Sequence, residues 1–351
     1  MNLLSFSKLK NWEYWPPFMF YIPNIPYAAY LALKARNLVF FSATNPALKH
    51  SGNGSESKFD TLQLISKPHK PVSIFIRKNE TIENVIKKIN QQQLKYPLII
   101  KPDIGFRGLL VKQLKTEKDL KIYLSKNNCI DLILQEFIDL KNECGIFYHR
   151  IPSEKKGQIT SITLKKFLTI TGDGKSTINE LIKDDKRAKY YIAIIKKLHY
   201  KNLNLILKKE EKKVLNVIGN HSKGAKFIDG NHLISEDLTD TMDAFFKKIP
   251  NFFYGRIDLK YNSFEQLIQK NEFKVLEING IISEPTHIYD SEKVSYFKAL
   301  KQIRKHWKIV YKISVENGNN GVKFDTINEF IQSLIYLRKH IKLIKKQIFT
   351  T

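Results

Sequence analysis

The stretches YGRIDLKY (residues 254–261) and FKVLEIN (residues 273–279) decide the fold of this chain. Both are mostly apolar runs that a few charged or polar residues interrupt, which predicts two β-strands. Glu277 and Asn279 lie two apart and therefore share a strand face. If the strands pair as a hairpin, Asp258 joins them in an oxygen-rich set that suits Mg²⁺. The alternative is a structural ion pair between one carboxylate and a neighbouring arginine.

A second motif, IIKPDIGFRG at residues 99–108, places a lysine at a strand end before a glycine loop. Lys101 offers a point charge, and the loop from Gly105 to Gly108 lets backbone N–H groups approach phosphate oxygens. The motif therefore predicts a polyphosphate site. The alternative is an ordinary turn, because a lysine before a glycine turn is common.

A third stretch, LILQEFID at residues 132–139, reads as an edge strand that ends in Gln135 to Ile138. Backbone amide and carbonyl groups at such a strand end can meet the edge of an adenine ring. Glu143 follows at a distance that would let it reach the ribose hydroxyls. An ordinary strand end is the alternative reading.

Composition indicates a globular protein and argues against several classes. The chain has 351 residues, of which 42% are hydrophobic and 26% charged, which is enough for two or three lobes with a sizeable core. The net charge of +25 comes mostly from lysines spread among many Asn and Ile residues, as an AT-rich coding bias would produce. No RNA-binding or zinc-finger signature accompanies it, so no nucleic-acid partner is expected. Two cysteines predict no disulfide framework and a reducing, cytoplasmic setting.

The N-terminal residues 12–41 are strongly apolar and aromatic, but prolines interrupt them before a spanning helix could form. The pattern predicts a helix from Pro26 to Leu38 and then a strand from Asn37 to Thr44. Two interpretations stay open for the segment as a whole. The favoured one is an arm packed over the catalytic lobes, and the other is a peripheral contact with a membrane surface.

One further pattern is a decoy. GDGKST at residues 172–177 contains the GKS of a Walker A loop, but that motif requires glycine where Thr169 stands. A turn that leads into a helix capped near Ser176 or Thr177 is expected instead. The nine histidines show no metal-ligand spacing, so zinc is not expected.

Four motifs in this order along the chain resemble the ATP-grasp superfamily. They are the lysine with its glycine loop, the stretch 132–139 with Glu143, the strand that carries Arg256 and Asp258 (RxD), and the strand that carries Glu277 and Asn279 (ExN). The D-alanine–D-alanine ligases and cyanophycin synthetase-like enzymes are the most similar groups. Further similarity lies in His149–Arg150, in TGDGKSTINELI (171–182) and in GNHSKGAKFIDGNH (219–232). The resemblance covers about residues 59–289. The turn GIISEPTH (280–287) replaces the family's usual ExNxxPG, so the acceptor substrate stays open.

The resemblance implies an α+β ATP-grasp fold in which two α+β lobes grip ATP. It also implies a division into four parts along the chain. These are an N-terminal aromatic arm and loop (1–58), a pre-grasp segment with the small lobe (59–139), a large lobe with the metal site (140–320) and a basic C-terminal helix (321–351).

The resemblance further implies roles for individual residues. Those expected to bind ATP are Lys101, Gly105, Phe106, Arg107 and Gly108 at the phosphates, Gln135, Glu136, Phe137 and Ile138 at the adenine, and Glu143 at the ribose. Those expected to bind Mg²⁺ (or Mn²⁺) are Asp258, Glu277 and Asn279. Arg256 would act with Lys101 on the transferring phosphoryl group and then on the tetrahedral intermediate. Those expected in the acceptor pocket are Arg150, Lys165, His221, Ser222, Lys223 and Gly224.

The implied reaction joins a small-molecule carboxylate to an amine, or to a thiol, through an acyl phosphate formed from ATP. Relatives of this kind are often oligomers, so the resemblance also makes a homodimer an expectation. Two alternatives stay open. One is a membrane-surface protein that keeps the ATP-grasp fold without turnover, and the other is a phosphotransferase that uses the same site.

Overall fold

The structure is a computed structural model that describes residues 12–16, 18–105, 107–199 and 202–349. The α-helices described are α1 (Phe18–Tyr21), α2 (Ile25–Ala35), α3 (Lys58–Gln63), α4 (Ile82–Gln91), α5 (Glu117–Asn127), α6 (Ile178–Asp184), α7 (Ile192–His199), α8 (Glu236–Phe246), α9 (Phe264–Lys270), α10 (Tyr296–Asn319) and α11 (Ile327–Phe349). The strands described are β1 (Ser73–Ile76), β2 (Leu98–Pro102), β3 (Lys112–Leu114), β4 (Leu132–Glu136), β5 (Asn142–His149), β6 (Gln158–Lys166), β7 (Thr169–Thr171), β8 (Lys212–Val214), β9 (Lys226–Asp229), β10 (Tyr254–Tyr261) and β11 (Phe273–Asn279). Short 3₁₀ helices occupy Trp12–Tyr14, Ile22–Asn24, Phe40–Ala43, Lys49–Ser51, Lys67–His69, Ala188–Tyr191, His221–Lys223, Asn231–Leu233 and Thr286–Tyr289.

The first sheet is antiparallel and has the strand order β1-β4-β2-β3. Its apolar face packs on α4 and α5, where Val85 and Leu120 are fully buried. The predicted edge strand at residues 132–139 is wrong, since β4 pairs with β1 on one side and β2 on the other. Its continuous LIL run is buried, as an interior strand requires. The sheet pairing of β4 ends at Glu136, and the chain continues from there towards the second sheet.

The second sheet has the order β11-β10-β5-β6-β9 and carries one apolar and one polar face. The predicted hairpin is confirmed, because β10 and β11 pair with Asp258 opposite Glu277 and with Arg256 opposite Asn279. Apolar residues of β5, β10 and β11 alternate with these and pack against α8 in one buried core. The charged residues consequently all point to the face that α8 does not cover.

Helices and antiparallel sheets together make the fold α+β, as the sequence predicts. The chain passes from the first sheet to the second between residues 136 and 142, while the predicted four-part division is finer than these two sheets. The C-terminal α11 contributes the buried Ile344 to the core of the first sheet. No described helix is long and apolar enough to cross a membrane.

The GDGKST segment is a turn before a helix, as expected. The Thr177 side chain accepts a hydrogen bond from the Glu180 backbone, and the Glu180 carboxylate accepts one from the Thr177 N–H. This reciprocal capping box begins α6 on the outside of the molecule. The lysine and serine of the motif lie in the turn before this helix, where their backbone N–H groups donate to the Asp173 carboxylate.

The N-terminal segment packs on the large helix α10. The predicted strand from Asn37 to Thr44 is wrong, because residues 40–43 form a 3₁₀ helix against α10. The Asn37 side chain accepts a hydrogen bond from the Val39 N–H and turns the chain there. The Thr44 hydroxyl lies 2.7 Å from that of Ser314 on α10. Local side-chain bonds have replaced the sheet pairing that the apolar pattern suggested.

Asn45 fixes this segment to the start of β10. Its Oδ1 accepts hydrogen bonds from the backbone N–H groups of Phe253 and Tyr254, each at 2.9 Å. Its Nδ2 donates to the Tyr254 carbonyl at 2.7 Å. Asn45 is fully buried. One amide therefore satisfies three backbone groups of the strand that carries Arg256 and Asp258.

We predict that Asn45→Ala lowers the free energy of unfolding by about 3 kcal/mol, because it leaves buried backbone groups unpaired. Urea denaturation followed by circular dichroism measures the change. Asn90→Ala, at an exposed position of α4, is the matched control and should change stability by less than about 0.5 kcal/mol. Equal effects of the two substitutions would contradict the anchoring role of Asn45.

Candidate active site

A cavity of about 600 Å³ lies between the first sheet and the polar face of the second. Most residues that the sequence analysis selected line it. They are Lys101, Gly105, Arg107, Gly108, Gln135, Glu136, Phe137, Ile138, Glu143, Lys165, Arg256, Asp258, Glu277 and Asn279. Phe106 lies outside the described residues.

Asp258 is buried between two cations. Arg256 donates to both of its oxygens, from Nε at 3.0 Å and from Nη2 at 3.2 Å. The Lys165 ammonium lies 3.3 Å from Oδ2 on the other side. Burial opposes ionisation of this carboxyl, but Arg256 and Lys165 outweigh it and hold the pKa of Asp258 below its usual value. The carboxylate is therefore charged at neutral pH.

Glu277 forms an ion pair with Lys58, the first residue of α3. Burial again opposes ionisation, but Lys58 and Lys101 lower the pKa of Glu277 below its usual value despite the nearby Asp258. Sequence reasoning missed Lys58, because it follows a polar loop and lies more than two hundred positions from Glu277. Nothing in the local sequence pattern indicates the role of Lys58, which becomes visible only where α3 packs beside β11.

Lys101 lies at the end of β2 and extends into the cavity. Its ammonium donates to Gln135 Oε1 at 3.2 Å and to the Leu276 carbonyl at 3.1 Å. Burial, reinforced by the neighbouring Lys58, lowers the pKa of Lys101 to about 8, although Glu277 acts in the opposite direction. A cation so placed faces the hairpin of carboxylates across the cavity.

The carboxylates and the Asn279 amide form a donor set that fits a divalent cation. The Nδ2 atom of Asn279 is buried and has no hydrogen-bond partner among the described residues, so this N–H group can donate to an acceptor on an added ligand, whereas Oδ1 is the atom that would ligate a cation. The described residues hold no cluster of three His, Cys, Asp or Glu placed for a metal. Two carboxylates and an amide nevertheless match Mg²⁺, which commonly takes one or two carboxylates and completes its shell with phosphate oxygens and water.

Glu143 and Lys165 form a buried pair beside the carboxylates. Their Oε1 and Nζ atoms are 2.8 Å apart, and both side chains are less than a tenth exposed. Lys165 was expected in the acceptor pocket, but here it joins Glu143 to Asp258. A Cβ at Gly219 would collide with the Glu143 carboxylate, which explains glycine at this close approach.

The loop at residues 219–224 covers the glycine loop rather than a separate pocket. The Ser222 hydroxyl donates to the Arg107 carbonyl at 3.1 Å. Gly224 ends the short helix with φ +102°, a conformation that favours glycine. Of this loop, residues 219 and 220 line the cavity, whereas His221 to Gly224 do not.

Arg150 is also absent from the cavity lining. It follows the end of β5, about 20 Å along the strand from Glu143. Its guanidinium instead lies 5.1 Å from the centre of the Phe253 ring. The prediction that Arg150 lines the same pocket as Lys165 therefore does not match its place in the fold, because the two residues face different parts of the sheet.

The family model for a RimK-like ATP-grasp domain matches residues 55–230. The chain belongs to the RimK-like ATP-grasp family. The match confirms the predicted superfamily and its α+β fold. ATP-grasp enzymes use ATP with a divalent metal, and the family is one of ligases that form C–N bonds. The matched region contains the glycine loop and Glu143 but ends before the hairpin of β10 and β11.

Solved structures of similar fold include several ligases. The VanG D-Ala:D-Ser ligase from Enterococcus faecalis is 14% identical, with a TM-score of 0.42 over 74% of this chain and 64% of that chain. A D-alanine–D-alanine ligase from Bacillus anthracis is 14% identical, with a TM-score of 0.43 over 79% of this chain and 71% of that chain. A bifunctional glutathione synthetase from Pasteurella multocida is 16% identical, with a TM-score of 0.35 over 67% of this chain and 35% of that chain. The chain thus matches less than two thirds of the VanG ligase and of the glutathione synthetase. None of the curated proteins compared with the chain matches it.

We predict that ATP-grasp nucleotide binding takes up a proton at Lys101 above neutral pH. With its pKa near 8, Lys101 is largely neutral at pH 8.5 in the free protein, and polyphosphate would raise that pKa and protonate it. Titration calorimetry of Mg-ATP in buffers of different ionisation enthalpy should show uptake of roughly 0.7 proton at pH 8.5 and almost none at pH 6.5.

Lys101→Met should abolish the uptake. Lys118→Met, at an exposed position of α5, is the matched control and should retain it. Binding heats that do not depend on the buffer at pH 8.5 would show that Lys101 does not meet the phosphates.

Proposed function

We propose that the chain is a Mg-ATP-dependent carboxylate–amine ligase that acts through an acyl phosphate. The supporting observation is the hairpin of β10 and β11, which sets Arg256, Asp258, Glu277 and Asn279 on one face of the cavity. Lys101 and the glycine loop lie on the opposite wall. An ATP-grasp domain with charged groups in these positions has what phosphoryl transfer needs.

In this proposal Lys101 and the backbone of the glycine loop hold the ATP phosphates, and the segment from Gln135 to Ile138 holds the adenine. Glu143 lies where it can meet the ribose, and its ion pair with Lys165 holds it there. Asp258, Glu277 and Asn279 hold Mg²⁺ or Mn²⁺, which supplies neutralisation of phosphate charge when bound. Lys58, which pairs with Glu277 and lines the same cavity, would lie beside the phosphates as a further cation.

The chemistry then follows in two steps. A carboxylate oxygen of the substrate attacks the γ-phosphorus, and the bond to the β–γ bridging oxygen breaks, which gives an acyl phosphate and ADP. An amine then attacks the acyl carbon and loses a proton, and phosphate leaves. The Arg256 guanidinium, held by Asp258 and by the Glu284 carbonyl at 3.2 Å, would stabilise the oxyanion of this second step.

The exposed side of the N-terminal arm supports a second, weaker proposal of peripheral membrane contact. Six apolar residues there are more than half exposed: Phe18, Ile22, Ile25, Tyr30, Leu33 and Leu38. Such a surface could rest on lipid. The cytoplasmic location and the homodimer stay predictions from the sequence.

We predict that Mg-ATP stabilises the wild type by about 2.7 kcal/mol at one hundred times its dissociation constant. Glu277→Gln should lose the Mg-dependent part of this shift, because the amide no longer offers a charged oxygen to the cation. Thermal unfolding with ATP, with Mg²⁺ and with both together measures it. Glu265→Gln, at an exposed position of α9, is the matched control and should shift like the wild type.

Hydroxylamine then tests the intermediate, since it converts an acyl phosphate into a stable hydroxamate. A hydroxamate that requires both Mg-ATP and a carboxylate would support the ligase. A stable phosphorylated product without amide formation would instead favour a phosphotransferase. A full Mg-dependent shift in Glu277→Gln would refute the assignment of this carboxylate.

A further inference from the structure

A second cavity, of about 500 Å³, lies between the N-terminal arm and the helices α10 and α11. Its volume is within the range of sites that hold drug-sized ligands. Most of its lining residues are apolar. Those that the argument uses are Ala28, Ala29, Leu38, Trp307, Val310 and Leu334.

This apolar cavity adjoins the active-site cavity. Four residues line both: Tyr21, Ile282, Ser283 and Glu284. Glu284 accepts hydrogen bonds from the hydroxyls of Tyr21 and Tyr289, and its carbonyl accepts one from Arg256. The boundary between the two cavities therefore lies beside the guanidinium that we assign to the reaction.

The wall of the apolar cavity is neutral apart from this boundary. Burial keeps the pKa of His306 well below its usual value, so the imidazole there is uncharged at neutral pH. Its Nδ1 lies 3.1 Å from the Tyr254 hydroxyl, while its buried Nε2 has no partner among the described residues. Neutral apolar walls with one unsatisfied polar atom suit a largely hydrocarbon ligand.

The far side of the cavity opens at the molecular surface. Ile25, Leu38 and Leu334 line it and are nevertheless 55%, 65% and 39% exposed. Exposed apolar side chains around an opening favour entry of an apolar ligand from that side. The cavity thus extends from an apolar rim to Glu284, whose carbonyl accepts a hydrogen bond from Arg256.

We propose that this cavity binds the hydrocarbon chain of the carboxylate substrate, with the carboxylate at the boundary beside Arg256. The substrate class is then a carboxylic acid with an extended apolar chain. This inference rests on the proposed ligase function and deepens it. The turn GIISEPTH supplies three of the four shared lining residues, which gives this unusual turn a role in substrate choice.

The test is a chain-length series of acetate, butyrate, hexanoate, octanoate and decanoate bound to the full chain without nucleotide. Titration calorimetry should show affinity that rises about fourfold per added CH₂ until the cavity is filled. Decylamine is the head-group control and should bind at least tenfold more weakly than decanoate. Release of ADP with Mg-ATP should follow the same order among the acids.

Ala28→Phe places a larger side chain into the cavity and should remove most of the chain-length dependence while acetate binding is unchanged. Ala29→Leu, at a more exposed lining position, repeats the test with less risk to folding. Leu33→Phe, on the same helix but 76% exposed and outside the lining, is the matched control and should behave like the wild type.

The outcomes separate this inference from the ligase proposal. Affinity that does not depend on chain length, together with an intact Mg-ATP shift, would overturn the inference and leave the ligase standing. Equal binding of decylamine and decanoate would overturn the placement of the carboxylate. Chain-length-dependent binding of acids that Ala28→Phe abolishes, without any Mg-ATP shift, would support the cavity and count against the ligase.

Discussion

The buried carboxylates on β10 and β11 require cations beside them, and several other elements of the structure supply those cations. Two carboxylates on neighbouring strands cannot both stay ionised away from water unless cations accompany them. Arg256 comes from the same strand as Asp258, Lys165 from β6, and Lys58 from α3. Each of these elements is therefore tied to the hairpin by charge as well as by packing.

This condition also explains why the two sheets face one another. Lys101 belongs to the first sheet, yet its ammonium donates to the Leu276 carbonyl on β11 of the second. Lys58 makes a similar connection through its pair with Glu277. Cations from the first sheet and from α3 thus face the carboxylates, while Arg256 and Lys165 lie beside them, and a polyphosphate with its metal fits among charges of both signs.

The sequence allowed the charged face to be predicted because a strand has a period of two. The period of two put Glu277 and Asn279 on one face, and Arg256 and Asp258 on one face of the neighbouring strand. The register shift opposite Leu276 then brings Asp258 and Glu277 together on the polar face, which the sequence did not reveal. The same logic failed for Asn37 to Thr44, where an apolar run packs on α10 without any sheet. A pattern of apolar residues specifies which side chains are buried, but not which partner buries them.

The sequence did not allow us to predict site residues whose contacts lie far away along the chain. The contact between α3 and β11 is what identifies Lys58. Arg150, which the resemblance places in the acceptor pocket with Lys165, lies at the far end of β5 and outside the cavity that Lys165 lines. The position of β4 in its sheet was mispredicted for a related reason, since a short apolar run does not tell an interior strand from an edge strand. Tertiary pairing decides between them.

Tyr21 of the N-terminal arm lines both cavities, as does Glu284, which lies at the boundary between them. Tyr21 on the arm donates to the Glu284 carboxylate, while the Glu284 carbonyl accepts from Arg256. A ligand that displaces Tyr21 would therefore change the position of Glu284 and, through it, of the guanidinium. The aromatic segment is for this reason better understood as part of the cavity wall than as an appendage, because its contact with Glu284 reaches the guanidinium that we propose for the oxyanion.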